Sequence, residues 1–313
     1  MTWAMKYRLW GICILAILGL GTTCERPVDL SFDKPESNLV VVSNFTREKQ
    51  LEVRVSSSRS ILEASLGEYL PDARVELFSE GQFMERLELV IPPGGRIPPY
   101  YQTRNVALQT GTTYQIRVDV TGFNPVTASS KIPEPVPIQL FQVNDAKLVL
   151  DQSPVLQRYS YRVRFNFQDP KDSDDYYHLN FYQQVMEYSN REGDTIISRK
   201  ILYPLVFNNT NNNNVINAYF SGGILMKDNP FPAGLSFETT FEVEPEFELL
   251  GDVFVELRTV SEEYYLFHTS LSRQQAQPEG PLNEPVIVFD NVDNGYGIFA
   301  GYNFALDSVQ LGL

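Results

Sequence analysis

From Tyr159 to Phe167 the chain alternates without a fault. Tyr159, Tyr161, Val163, Phe165 and Phe167 occupy one set of positions; Ser160, Arg162, Arg164 and Asn166 occupy the other. A period of two suits an extended strand with one buried face, and a helix of period 3.6 would scatter these aromatics around its circumference. The same rhythm recurs in Leu51, Val53 and Val55 against Glu52, Arg54 and Ser56, and in Ala73, Val75 and Leu77 against Arg74, Glu76 and Phe78. Leu39 to Ser43, Phe83 to Val90, Tyr177 to Phe181, Phe237 to Val243 and Val253 to Leu257 add further short strand-like runs. An apolar content of 43%, with 12% aromatic, supplies enough side chains for a buried core. The expected fold class is therefore all-β. One stretch breaks the rhythm: Ser261 as N-cap, Glu262 and Glu263 in the first turn, and Tyr264, Phe267 and Leu271 three and four apart predict a short helix. No repeat of fixed period is visible, which argues against a solenoid or propeller.

Turn chemistry divides the strands. Pro71-Asp72, Ser79-Glu80-Gly81-Gln82 and Pro92-Pro93-Gly94-Gly95 read as breaks, and six asparagines within Asn208–Asn214 as a loop or hairpin tip. Leu108, Gly111 and Tyr114 open a strand that continues through Ile116, Val118 and Val120. Their spacing resembles the tyrosine corner of immunoglobulin-like and fibronectin-type III-like sandwiches, in which the hydroxyl bonds back to the turn. A hairpin with a buried tyrosine is the alternative. Three prolines at Pro133, Pro135 and Pro137 make the clearest boundary. The expected order is an N-terminal sandwich at 37–132, a proline-rich boundary at 133–137, and a larger β-rich domain with one short helix at 138–313.

The N-terminus has a different character. Lys6 and Arg8 precede an apolar run from Leu9 to Leu20, and Gly21-Thr22-Thr23 then lead to Cys24. This is the layout of a signal peptide over residues 1–23, and the apolar run is too short for a spanning helix of about 20 residues. A cysteine at this place is where bacterial lipoproteins are cleaved and acylated. The pattern is imperfect, with Gly21 and Thr23 in place of the usual Leu and small residue, and an ordinary secreted protein is the alternative. Cys13 lies inside the signal, so Cys24 has no partner for an internal disulfide after cleavage. We expect Cys24 to carry the lipid, with 24–36 as a tether to the fold. Without Lys6 and Arg8 the chain has 23 basic against 39 acidic residues, a net charge of −16, which leaves no electrostatic footprint for nucleic acid.

Several pieces in a fixed order resemble the Bacteroidota lipoproteins called domain of unknown function 4249. They are the signal with its cysteine, Asp72-Ala-Arg-Val-Glu-Leu77, the strand at Gly111 and Tyr114, Ile132-Pro133, and Asp169-Pro170 with Tyr176-Tyr177. Glu262 and Tyr264 of the helix and the tail from Asn283 to Tyr302, with Asn294-Gly295-Tyr-Gly297-Ile-Phe299, complete the order. The resemblance implies an envelope lipoprotein working beside a TonB-dependent outer-membrane transporter, and implies no particular activity. In physical terms the tail reads as strand, tight turn and strand, with Asn294 and Gly295 both tolerating positive φ. Structural closure of the second domain is one reading of it, and a ligand-contacting loop is the other.

Catalytic signatures were sought by chemistry. His178 and His268, the two histidines of the chain, each stand beside tyrosines and belong to no zinc-binding spacing; both read as packing or edge residues. No nucleophile elbow, phosphate-binding loop or dinucleotide fingerprint occurs. Asp169, Asp172, Asp174 and Asp175 are the weak candidates for a calcium site, against a solvated acidic turn; their register is not that of an EF-hand. No cofactor is expected. Paired carboxylates of a glycosidase need only a suitable separation, and 39 acids supply pairs by abundance alone.

The expectation is a noncatalytic accessory lipoprotein of the cell outer membrane, lipid-anchored through Cys24, capturing a nutrient beside a TonB-dependent transporter. A structural or adhesion subunit without a small ligand is the alternative, and a hydrolase a third.

Overall fold

The computed structural model describes residues 37–311 except 60–67, 153–154, 172, 192–193, 207–214, 219, 221 and 278–285. The expected signal peptide, Cys24, the tether and Asp172 lie outside the described residues. The N-terminal part contains β1 (Leu39–Phe45), β2 (Glu52–Ser57), β3 (Arg74–Ser79), β4 (Gln82–Arg86), β5 (Glu88–Val90), β6 (Tyr100–Gln102), β7 (Thr113–Asp119) and β8 (Val126–Lys131). After the prolines come β9 (Ile138–Gln152), β10 (Leu156–Phe167), β11 (Tyr176–Arg191), β12 (Asp194–Pro204), β13 (Val215–Asn217), β14 (Ile224–Lys227), β15 (Leu235–Val243) and β16 (Glu248–Val260). Helix α1 (Glu262–Ala276), β17 (Val292–Asp293) and β18 (Tyr296–Val309) end the order. The all-β class read from alternation is the class observed.

One ten-stranded sheet runs through the molecule in the order β13-β14-β11-β16-β18-β1-β2-β6-β5, with β12 paired to β11. A five-stranded sheet, β17-β8-β7-β3-β4, faces one end of it, and a three-stranded sheet, β15-β10-β9, faces the other. Between the large sheet and the five-stranded sheet lies a core of Val41, Phe45, Val53, Leu77, Tyr114, Ile116 and their neighbours. Between the large and three-stranded sheets lies a second core of Tyr161, Val163, Phe165, Tyr177, Phe181 and Val255. Helix α1 covers a third cluster, with Leu225, Val260, Tyr264, Ile298 and Ala300.

The two main cores fall on either side of residues 133–137, but the large sheet does not break there. β18, from the tail, inserts between β16 and β1 and pairs with β1 in parallel, Val41 opposite Gly297 and Ser43 opposite Phe299. β17 adds to β8 in the five-stranded sheet, Val292 opposite Ala128. Val292 and Phe299 are consequently buried in the N-terminal core. This corrects the assignment of all of 138–313 to a second domain: the tail closes the first sandwich and joins it to the second half. Sequence could not show this, because a parallel partner can come from anywhere in the chain.

The tyrosine corner has the anticipated geometry. Gln109 N–H donates to the Tyr114 hydroxyl at 2.7 Å, Gly111 takes φ 77°, and its N–H donates to the Ile132 carbonyl at 2.8 Å. The Glu80-Gly81 turn has positive φ at both residues (51° and 77°), as a tight hairpin between β3 and β4 requires.

Candidate functional site

The side chains with chemical potential gather beneath α1. On β11, Tyr177, Leu179 and Phe181 point into the second core, so the alternating His178 must face the other way. A half-buried strand would leave that face in water; α1 covers it instead, and His178 is 0% exposed. On the neighbouring β16, Leu257 faces the core and Arg258 takes the helix side, by the same alternation. Ser261 caps α1, its hydroxyl accepting from Tyr264 N–H at 3.3 Å. The buried helix face is Tyr264, His268, Thr269 and Ser272. Tyr264 and the partly buried Phe267 supply the apolar part of this contact, and His268, Thr269 and Ser272 set a polar stripe beside them.

Polar side chains of the sheet and helix form one network. His178 Nδ1 lies 3.0 Å from the Tyr264 hydroxyl, which also accepts from Arg258 Nη1 at 3.3 Å. With Arg258 as donor, the hydroxyl proton is free to point at the imidazole. Arg258 Nη2 donates to Glu256 at 2.9 Å, and its guanidinium carbon lies 5.0 Å from the Tyr302 ring centre on β18. His268 Nε2 lies 3.2 Å from Asn44 Nδ2 on β1. The Phe220 ring sits between the imidazoles, 5.2 Å from His178 and 4.7 Å from His268.

Electrostatics keep this cluster neutral apart from the Arg258–Glu256 pair. Burial, and then the Arg258 charge, hold His178 well below the usual histidine range and His268 at about 4. Burial pushes the Tyr264 hydroxyl up to about 12. His268 Nδ1 and Arg258 Nε are buried with no hydrogen-bond partner among the described residues. At neutral pH the network ties α1 to three strands; an added proton would set a second cation beside Arg258. Both histidines thus pack, as anticipated, at the centre of the helix–sheet contact and not at an edge.

A second polar knot holds the start of the helix. Ser130 of β8 donates to Glu263 at 2.9 Å, lies 3.0 Å from the Ser261 hydroxyl, and accepts from Gly301 N–H at 3.1 Å. It links the five-stranded sheet, the large sheet and the helix cap.

Asp169, Asp174 and Asp175 each have a protein partner. Asp169 accepts from the Tyr177 hydroxyl and from Asn229 N–H. Asp174 pairs with Lys227 at 2.7 Å, and Asp175 accepts from Ser173 at 2.5 Å. Each carboxylate has its own protein donor, and no group of three acids, histidines or cysteines placed for a metal occurs among the described residues. An outer cleft of about 400 Å³ is lined by Asp145, Lys147, Tyr161, Arg162 and Glu238. Arg162 pairs across the opening with Glu238 and with Asp145.

The glycines of the tail are structural. Asn294 takes φ 63°, whereas Gly295 is absent from the positive-φ positions; its need for glycine is spatial, since a Cβ would lie 2.8 Å from the Leu39 carbonyl and from Val126. That corrects the turn argument for Gly295. Gly297 combines φ 118° with a Cβ position 2.0 Å from the Val41 carbonyl oxygen.

The feature that sequence patterning did not single out is β12. It pairs with β11 on one side and carries no partner strand on the other among the described residues. Ile196, Ile197, Leu202 and Tyr203 are between 38% and 49% exposed along it. The mixed order Ile-Ile-Ser-Arg-Lys-Ile-Leu hid it from a period-two search, because a bulge at Glu187/Tyr188 shifts the register midway.

Fold and site together define a two-core β-sandwich protein whose buried polar cluster is wired to hold a helix. The model of the family called domain of unknown function (DUF4249) matches residues 25–306, and the chain belongs to that family. No curated protein matches. Among solved structures, the three N-terminal domains of the bacteriophage RB49 highly immunogenic outer capsid protein (Hoc) are similar at 11% identity and a TM-score of 0.21. The match covers 72% of this chain and 64% of that one.

Proposed function

We propose that this protein is a noncatalytic accessory lipoprotein, anchored in the outer membrane through Cys24, that binds a partner protein of the envelope. A TonB-dependent transporter is the partner this reading favours. The observation that carries it is the start of the family match at residue 25, directly after Cys24. Cleavage before Cys24 leaves that residue as the new N-terminus, and the family match covers nearly all of the remaining chain. Two or more acyl chains at about 0.8 kcal/mol per buried methylene hold such a protein at a bilayer.

The fold supports a presenting role. The chain enters the body at Ser37, beside Val40, which is level with Tyr296 at the start of β18. Val309, at the other end of β18, pairs with Val253, which pairs with Gln183, which pairs with Tyr203. At about 3.3 Å per residue, the β11–β12 hairpin begins some 40 Å along the sheet from the point of entry. The β11–β12 hairpin is the part of the body that this reading assigns to the partner.

Two measurements test this. Intact mass of the chain purified from membranes should give an N-terminal diacylglyceryl cysteine, and Cys24→Ser should release the protein from the membrane fraction. An unacylated terminus removes the anchor from the account. Crosslinking in native membranes should join the protein to an outer-membrane barrel; a structural subunit would instead join to copies of itself.

A further inference from the structure

Among the described residues, β12 pairs with β11 on one side and has no partner strand on the other. An edge strand presents unpaired N–H and C=O groups along its length, and proteins normally blunt such edges with shortness, bulges or charge. β12 is 11 residues long with ten of them exposed, and its bulge and central cations select against an indiscriminate strand and for one of matching charge. Apolar side chains stand on both sides of its centre: Ile196 and Ile197 before it, Leu202 and Tyr203 after it. Arg199 and Lys200 form the centre itself. Arg199 lies 3.9 Å from Glu187 on β11, and exposed Lys200 is its neighbour, two adjacent cations on a chain of net charge −14.

That centre excludes one occupant and favours another. A second copy pairing antiparallel about the strand midpoint would set Arg199 against its own counterpart, and like charges directly opposite are destabilising. An extended segment with acids at its middle and apolar residues at its ends would satisfy the open backbone groups, the two cations and the apolar flanks together.

We propose that β12 captures an extended, acidic-centred strand of a partner protein by adding it to the large sheet. This deepens the binding role proposed above and rests on it. The affinity falls with rising salt, because the cations are exposed and screened.

The test uses the full chain in detergent and two soluble synthetic probes: an extended peptide with two adjacent glutamates between valine-rich ends, and its lysine counterpart. The glutamate peptide is expected to bind at least tenfold more tightly and to slow amide exchange at residues 195–203. In the Arg199→Glu, Lys200→Glu double variant that preference should invert, whereas the exchanged pair Arg199→Lys, Lys200→Arg should keep it. Circular dichroism of each variant establishes that the sheet is intact. Absence of protection at 195–203, equal binding of both peptides, or self-association through β12 would overturn the proposal. Acylation of Cys24 is read separately, so loss of the edge and loss of the anchor are distinguishable.

Discussion

Phe45 and Phe299 stack with ring centres 4.3 Å apart, joining a strand near the start of the body to one near its end. Both rings lie in the N-terminal core, and Phe45 also meets Tyr114 edge-on at 6.1 Å. The contact is the side-chain counterpart of the parallel β1–β18 pairing. Phe299→Ala should cost about 3–5 kcal/mol, the usual loss for a large aromatic leaving a close-packed core. Urea unfolding would measure it. If the N-terminal sandwich were closed without the tail, the loss would be near zero.

Gly297→Ala acts on the same seam through the backbone. Its φ of 118° is strained for any residue with a Cβ, and that atom would meet the Val41 carbonyl at 2.0 Å. The dihedral strain alone costs about 1–3 kcal/mol, and the overlap forces β1 and β18 apart as well. Amide exchange should rise along 40–45 and 296–301 in the variant. Unchanged protection there would refute the close approach.

The imidazoles beneath α1 make stability depend on pH in a stated direction. Both are held below their unfolded value of 6.5, so between 6.5 and the folded values the unfolded chain binds more protons. Their contribution is complete above about pH 6.5 and is lost as pH falls, in the case of His268 down to about 4. That shift corresponds to roughly 3 kcal/mol for His268. Thermal melts between pH 7 and pH 4 should show a fall in Tm that His268→Gln reduces. A variant with the same pH slope as the parent would remove His268 from this role.

Glu85 on β4 accepts from the backbone N–H groups of Arg104, Asn105 and Val106 at 3.1 to 3.2 Å. Three successive amides converging on one carboxylate form an anion nest filled by the protein's own side chain. Glu85→Ala should cost about 1–2 kcal/mol and speed exchange of the amides at 104–106, with Glu85→Gln intermediate. Exchange rates equal to those of the parent would show the nest to be ordered without it.

Much of this was legible in the chain. The alternation of Tyr159–Phe167 becomes β10, which pairs with β15 from Gln157 to Phe165 and with β9 along its length through three irregularities. Ser261 caps the helix it was expected to cap, and Tyr114 receives the turn amide. Local rules suffice for these, since each depends on neighbours within a few residues. β12 and the 15-residue β9 were not legible, because bulges interrupt the period on which a sequence reading relies.

The amino-acid sequence alone determined the class: side chains alternating on extended backbone, turns at glycine and proline, one capped helix. It also determined that Tyr177 and His178 face opposite ways, because adjacent strand residues always do. Only the tertiary structure decided that both faces would be dry, one against the three-stranded sheet and one under α1. It likewise decided that the tail would lie beside β1. Strand pairing between residues more than 250 positions apart is set by burial and backbone hydrogen bonding in the assembled sheet, and no local pattern encodes it.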